Sequence, residues 1–270
     1  MQGLQPITAL ENAGRPFVRW ILFVVSVLGL VLESLHSFAK ESRQARRAIG
    51  QILGAQIYFT GWQAMPIISL LALVTGSVII LNTGGSVNPF GGGSMTGELL
   101  YLIVVKELGP LIVGLVVIAR SGTAVASELG NMKANREWDA LKVLGINPLT
   151  YIVFPRLVAG VISIFALCFY FDIIAILGGY GMTSMLNTLP FGWFVDSVVQ
   201  TVTMSGLALV VLKNAIVAVI IFSISCYQGL TVKQSHHEVP QVATKAVVLS
   251  IVSVTLVNFI FTAISIWAGG

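Results

Sequence analysis

Charge is what this sequence has least of. Only 10% of its 270 residues are Asp, Glu, Lys or Arg, whereas 56% are hydrophobic and the mean hydropathy is +0.91. Such a chain exposes too little polar surface for a soluble globule, so lipid is its main solvent. The length allows one domain of about five or six helices, because each span needs roughly 20 apolar residues. No separate soluble domain fits. Cysteine is nearly absent too: Cys168 and Cys226 both lie in apolar runs, where a free cysteine acts as a small buried hydrophobe and says nothing about redox compartment. No short apolar run with a small-residue cleavage site opens the chain, so no removable signal peptide is expected. A net charge of +4 raises nucleic acid as a partner, but its distribution among loops fits membrane orientation and excludes that reading.

Lysine and arginine are missing from residues 82–98 and 181–206 and present in 15–47, 120–156 and 233–245. The alternation predicts five spans, with the N-terminus inside and the C-terminus outside: Ala55–Leu81, Leu99–Ala126, Tyr151–Tyr180, Leu207–Tyr227 and Val247–Trp267. Ser86 and Thr188 then lie outside, and Asn135 and Ser235 inside. Before them, Trp20–Leu32 is apolar for only thirteen residues, between Arg15 and Arg19 on one side and Lys40, Arg43, Arg46 and Arg47 on the other. That is short for a span, and positive charge at both ends predicts a helix over residues 10–39 lying in the cytoplasmic leaflet. A first transmembrane helix carrying Glu33 is the alternative.

Within the first span, Tyr58 and Trp62 are expected as interface anchors at the cytoplasmic end and Pro66 as a kink. Leu70, Leu73, Ser77, Val78 and Leu81, spaced by threes and fours, share one helix face. That face either lines a cavity or packs on a neighbouring helix. The following NTGGSVNPFGGGSMTGE is a turn-rich outer loop, and its glycines lack the lysine a phosphate loop requires. Lys106, Glu107, Gly109 and Pro110 interrupt the second span; ionisable groups at such depth face a cavity or form a packing ion pair, and the proline bends the helix. Ser121, Gly122, Thr123, Ala124 and Ala126 allow close approach of another span. Asp172 is a lone acid in the third span, and Lys213 is placed to snorkel from the fourth. His236 and His237 are adjacent rather than at ligand spacing, with no third histidine or cysteine near, so no metal site is expected.

Positive and negative charge concentrates in the middle of the chain at Arg120, Glu128, Lys133, Arg136, Glu137, Asp139, Lys142 and Arg156. Residues 131–145 predict one short amphipathic helix there: Ala134, Trp138, Leu141 and Gly145 fall within a stripe of about 60°. Gly145 and Pro148 end it. A solvated loop helix is the plain reading of such composition.

The runs KELGP, ARSGTAVASELGNMK, DALKVLGINP and PRLVAG are similar to the signature of MlaE-type permeases, the membrane subunits of Mla/Mce ABC lipid transporters. The resemblance runs from about Ala55 to the C-terminus. It implies an all-α integral membrane protein with an N-terminal interfacial region over 1–54 and a permease domain over 55–270, comprising five transmembrane helices and a short cytoplasmic coupling helix. Glu128, Met132, Arg136, Glu137, Trp138, Asp139 and Leu141 are then expected to meet a separate ATPase, with Trp138 as apolar anchor. Arg136 stands where the family commonly carries an acid, so the ATPase surface it meets should differ in charge. The loop around 238–244 also departs from the family's usual glycine and ATT run. Leu70, Leu73, Ser77, Val78 and Leu81 would face the lipid cavity.

The partners implied are a second copy of the chain, an MlaF-type ATPase, an MlaD-type MCE protein, an MlaB-type STAS protein and phospholipid. The location implied is the bacterial inner membrane. No Walker A lysine is present, so ATP and Mg are expected on the partner ATPase and no cofactor in this chain. Two other classes are open to such a sequence: an ion-coupled secondary transporter using Asp172 or Glu107, for which no internal repeat is evident, and an intramembrane hydrolase using Ser121. The hydrolase lacks any histidine and orienting acid at a recognisable spacing.

Overall fold

The computed structural model describes residues 5–40, 43–84, 99–186, 191–233 and 235–267, and these are helical with no strand among them. The outer-loop positions Ser86 and Thr188, and nearly all of the glycine-rich 82–98 segment, lie outside the described residues. The helices are α1 (Gln5–Ala39), α2 (Arg43–Thr60), α3 (Met65–Gly84), α4 (Tyr101–Ala134), α5 (Glu137–Val143), α6 (Phe154–Leu186), α7 (Phe191–Thr201), α8 (Met204–Leu230) and α9 (Val239–Trp267). Six stretches are long and apolar enough to cross a membrane: Leu22–Ala39, Ile49–Ile79, Tyr101–Ala134, Leu149–Gly181, Met204–Leu230 and His236–Ser265. The chain is a multi-pass membrane protein.

The three middle helices form the core. Half of Met204–Leu230 is buried inside the chain, against 11% of His236–Ser265, because α8 packs on α4, α6 and α9 whereas α9 packs chiefly on α4 and α8. Small residues set these distances, as close packing between spans requires. A Cβ at Gly160 would collide with the Phe222 ring, and one at Gly76 with the Ala175 carbonyl. The predicted small-residue contact is present: a Cβ on Gly122 would lie 3.0 Å from Ser225 Oγ, and one on Gly229 2.8 Å from the Ala126 carbonyl.

The sequence places one span from Ala55 kinked at Pro66, but the break is at Gly61. α2 ends at Thr60, residues Trp62–Ala64 form a 3-10 turn, and Pro66 falls in the first turn of α3. A proline there removes a donor that the helix end leaves unpaired anyway, so it starts a helix rather than bending one. Tyr58 and Trp62 are exposed and flank the break at Gly61, within the apolar stretch Ile49–Ile79.

α1 reaches further than its thirteen-residue apolar run because the helix continues to Ala39. Its contacts include the same-side ends of its neighbours. Phe23 meets Tyr227 edge to face near the C-terminus of α8, Ser34 Oγ donates to the Leu149 carbonyl at 3.4 Å, and Phe38 stacks on Phe154, the first residue of α6. Residues 23–38 cover about 22 Å of helix, so α1 crosses the ends of α6 and α8.

Candidate functional site

Pro110 organises the polar node inside the bundle. It has no N–H to offer the carbonyl four residues back, that of Lys106. The preceding turns Tyr101–Leu108 are wound as π-helix, and the Gly109 N–H reaches Val104 instead. π-Bulges of this kind commonly relieve such a misfit and mark functional sites. The carbonyl of Lys106 accepts instead from Lys213 Nζ of α8, at 2.7 Å. The same ammonium donates to Glu107 Oε2 at 3.0 Å, and that oxygen also accepts from Asn258 Nδ2 (3.1 Å) and Thr262 Oγ1 (2.8 Å) of α9. One carboxylate oxygen thus ties α4, α8 and α9 together.

Lys213 corrects the sequence expectation. Its side chain is 3% exposed and turned into the protein rather than snorkelling. The reason is that it meets two oxygens there, while the ion pair expected around Lys106 and Glu107 recruits Lys213 and leaves Lys106 over the Tyr101 ring at 5.5 Å. Asn258 and Thr262 were missed. Their signal was present, as two hydrogen-bonding side chains one turn apart in an otherwise apolar helix.

Asp172 approaches the same turn from α6. Its Oδ1 has no hydrogen-bond partner, and a Cβ on Gly109 would sit 2.9 Å from it, so Gly109 is what leaves the carboxyl room. The structure brings Glu107, Gly109, Pro110 and Asp172 into one neighbourhood, as the sequence could not specify.

The charged middle segment folds differently from the single helix expected over 131–145. α4 runs on to Ala134, and Arg136 takes a left-handed conformation (φ 62°, ψ 15°), which ends one helix and starts the seven-residue α5. Gly145, at φ 76°, closes the turn that follows. A left-handed arginine is uncommon and marks a tightly specified corner. The corner directs Trp138 inward: it is 5% exposed, in the main apolar cluster with Met132 and Leu141 packed against it and Lys133 Nζ 6.0 Å from its ring. It cannot serve as a free anchor for a partner. The most exposed apolar side chains of the segment are Val143 at 87% and Leu144 at 73%, with Ile146 at 36%. Arg136, Glu137 and Asp139 are exposed around them, with Asp139 3.8 Å from Lys133. Glu128 is paired with the buried Arg156 at 2.6 Å, so it braces the end of α4 against α6.

The face formed by Leu70, Leu73, Val78 and Leu81 on α3 is exposed in the chain, although Leu73 also touches Gly178 of α6. An apolar groove of about 580 Å³ runs elsewhere, between α1, α8 and α9, walled by Phe23, Val27, Ile216, Val219, Leu256 and Ile260. His236 and His237 are exposed, and no cluster of metal-ligating side chains occurs among the described residues.

The sequence model of the family described as "Permease MlaE" matches residues 53–264, which begin in α2 and take in the whole node. A probable ABC transporter permease protein of Rickettsia felis is 30% identical over 234 residues, covering 85% of this chain and 89% of its own length. The intermembrane phospholipid transport system permease protein MlaE of Haemophilus influenzae is 30% identical over 219 residues, with 81% and 84% covered. The chloroplast protein trigalactosyldiacylglycerol 1 of Arabidopsis thaliana is 26% identical across 77% of this chain and 59% of its own.

Proposed function

This chain belongs to the MlaE permease family, a family of transporter subunits and not of enzymes, and on that premise we propose that it is the membrane half of an ABC transporter that moves phospholipid. The single observation that carries the reading to mechanism is the projecting turn after α5. Val143 and Leu144 are the most exposed large apolar side chains of a segment that also exposes Arg136, Glu137, Asp139 and Lys142, and an apolar tip with charge around it is the pattern of a docking site for a soluble protein. The chain has no phosphate loop of its own. The partner docked there is therefore the ATPase, which holds ATP and Mg.

In this reading Arg136, Glu137 and Asp139 form the charged rim of the docking site, Glu128 and Leu141 support it from within, and Met132 packs beneath it. The left-handed corner at Arg136 makes the turn a rigid lever on α4. Movement of the turn reaches Glu107 along one continuous helix, and from there α8 and α9 through Lys213, Asn258 and Thr262. Two copies pair and enclose a cavity faced by Leu70, Leu73, Ser77, Val78 and Leu81, which opens towards an MCE protein, with an MlaB-type STAS protein as regulator. The chain lies in the bacterial inner membrane, with α1 in the cytoplasmic leaflet and the N-terminus in the cytoplasm.

The test is reconstitution. The chain is co-expressed with its ATPase and MCE protein, placed in lipid vesicles and assayed for movement of fluorescent phospholipid to acceptor vesicles. ATP-dependent transfer is expected. Transfer by the chain alone, driven by an ion gradient through Asp172 or Glu107, would replace this reading by the secondary transporter.

A further inference from the structure

Arg120 belongs to neither the polar node nor the cytoplasmic turn. The sequence groups it with the cytoplasmic charges, but it lies in the π-helical turn Ile118–Gly122 of α4. It is eight residues from Glu128, which sets it about 12 Å deeper than the Glu128–Arg156 pair. The other side of its contact gives the same depth. A Cβ on Gly61 would lie 3.6 Å from Ser163 Oγ, and Ser163 is seven residues, about 10 Å, beyond Arg156.

At that depth Arg120 meets the break between α2 and α3. Nη1 donates to the Phe59 carbonyl at 2.7 Å and Nη2 to Gln63 Oε1 at 2.5 Å, and the guanidinium lies 4.7 Å from the Phe59 ring centre. All three partners are neutral. Among the described residues no carboxylate lies within ion-pair distance of it, whereas Lys213 and Arg156 each have one. A guanidinium carries five N–H donors and keeps its charge at any physiological pH. The residue is half-buried, and Gln63 and Trp62 beside it are exposed. An accessible guanidinium on an apolar, membrane-spanning helix without a carboxylate partner is the kind of charge that an anion or a polar cavity completes.

We propose that Arg120 binds the phosphodiester oxyanion of a phospholipid in the notch where α2 breaks against α4. The chemistry fits: a guanidinium presents parallel donors that match two phosphate oxygens, and in a low-dielectric setting that pair is strong. The helix break leaves the fork accessible, because the 3-10 turn at Trp62–Ala64 keeps Trp62 and Gln63 exposed beside the half-buried guanidinium. Gln63 and the Phe59 carbonyl hold the fork in place. The inference rests on the lipid-transport reading and deepens it, by naming a station for the headgroup in the inner half of the membrane.

The test uses Gln63→Glu in the full chain with its ATPase. A carboxylate at that position pairs with Arg120 from inside and cancels its charge without removing any contact of the fold. Arg120→Gln is the second variant; its amide can still reach the Phe59 carbonyl. Three probes are titrated by calorimetry in detergent: dihexanoyl phosphatidylglycerol, dihexanoylglycerol without the phosphate, and inorganic phosphate. The phospholipid is expected to bind about tenfold more weakly to either variant, and dihexanoylglycerol equally to all three proteins. Equal phospholipid affinity in wild type and Gln63→Glu overturns the proposal. Inorganic phosphate binding as tightly as the phospholipid overturns it in favour of a free-anion site. Transport is measured in parallel: a wild-type complex that moves no lipid refutes the transport reading, whereas a transporting Gln63→Glu complex with wild-type lipid affinity refutes only the Arg120 site.

Discussion

Lys213 Nζ sits 2.7 Å from the carbonyl oxygen of Lys106 and supplies the hydrogen bond that Pro110 cannot. A proline in one span and a lysine in another are therefore parts of one device. Lys213→Met leaves that carbonyl without its donor and Glu107 without its cation, though Asn258 and Thr262 still donate to it, and is expected to cost about 1–3 kcal/mol. Pro110→Ala restores the backbone donor. The double variant Pro110→Ala/Lys213→Met is expected to lose less than Lys213→Met alone, by about 1 kcal/mol or more. Thermal unfolding of the detergent-solubilised protein measures this, and additive losses would disprove the link.

The corner at Arg136 reverses what Trp138 is expected to do when mutated. Trp138→Ala empties a buried site and should destabilise the chain by about 3–5 kcal/mol, lowering the yield of folded protein. Val143→Asp and Leu144→Asp, both on the exposed tip, should leave folding intact and break association with the ATPase, with a loss of about 2 kcal/mol or more if either is a central contact. Co-purification ratios and melting temperatures separate the two cases. Normal ATPase recovery with Val143→Asp/Leu144→Asp would move the docking site elsewhere.

Topology is open to cysteine labelling, because Cys168 and Cys226 are both buried. A cysteine at Asn135 or Val143 should react with impermeant maleimide only after the membrane is opened, as should one at Ser235. Cysteines at Ser86 and Thr188 should react from outside. Labelling of Asn135 in intact cells would invert the arrangement. A cysteine at Gln5 decides between α1 lying in the cytoplasmic leaflet and α1 crossing it, since outside access there requires a sixth span.

Val78 is 48% exposed on α3, so a charge there meets lipid, cavity or a second copy, not the core of its own chain. Val78→Glu is expected to yield folded, dimeric protein that has lost bound phospholipid and transport. Phospholipid quantification on the purified protein checks it. A photocrosslinker at Val78 that captures only protein in active complexes would assign the face to packing.

Hydropathy and loop charge were enough to read α3, α4, α6, α8 and α9 as membrane helices, because a span's length and its flanking lysines and arginines are local properties of the chain. Lys106–Pro110 and Asp172 were likewise legible as polar interruptions of apolar runs, since an ionisable group there stands out whatever it touches. Partnership is another matter. That Glu107 meets Lys213, Asn258 and Thr262, over separations of more than 100 residues, depends on how α4, α8 and α9 are rotated about their axes, and the close approach of α4 and α8 at Gly122 and Gly229 is part of what sets it. The helix break at Gly61 was hidden because Pro66 offered a more obvious cause. The corner at Arg136 was hidden because the periodicity of Ala134, Trp138, Leu141 and Gly145 passes through it unbroken. An amphipathic stripe records which residues seek burial, and only the tertiary structure determines which find it in their own chain, as Trp138 does, while Val143 and Leu144 stay exposed.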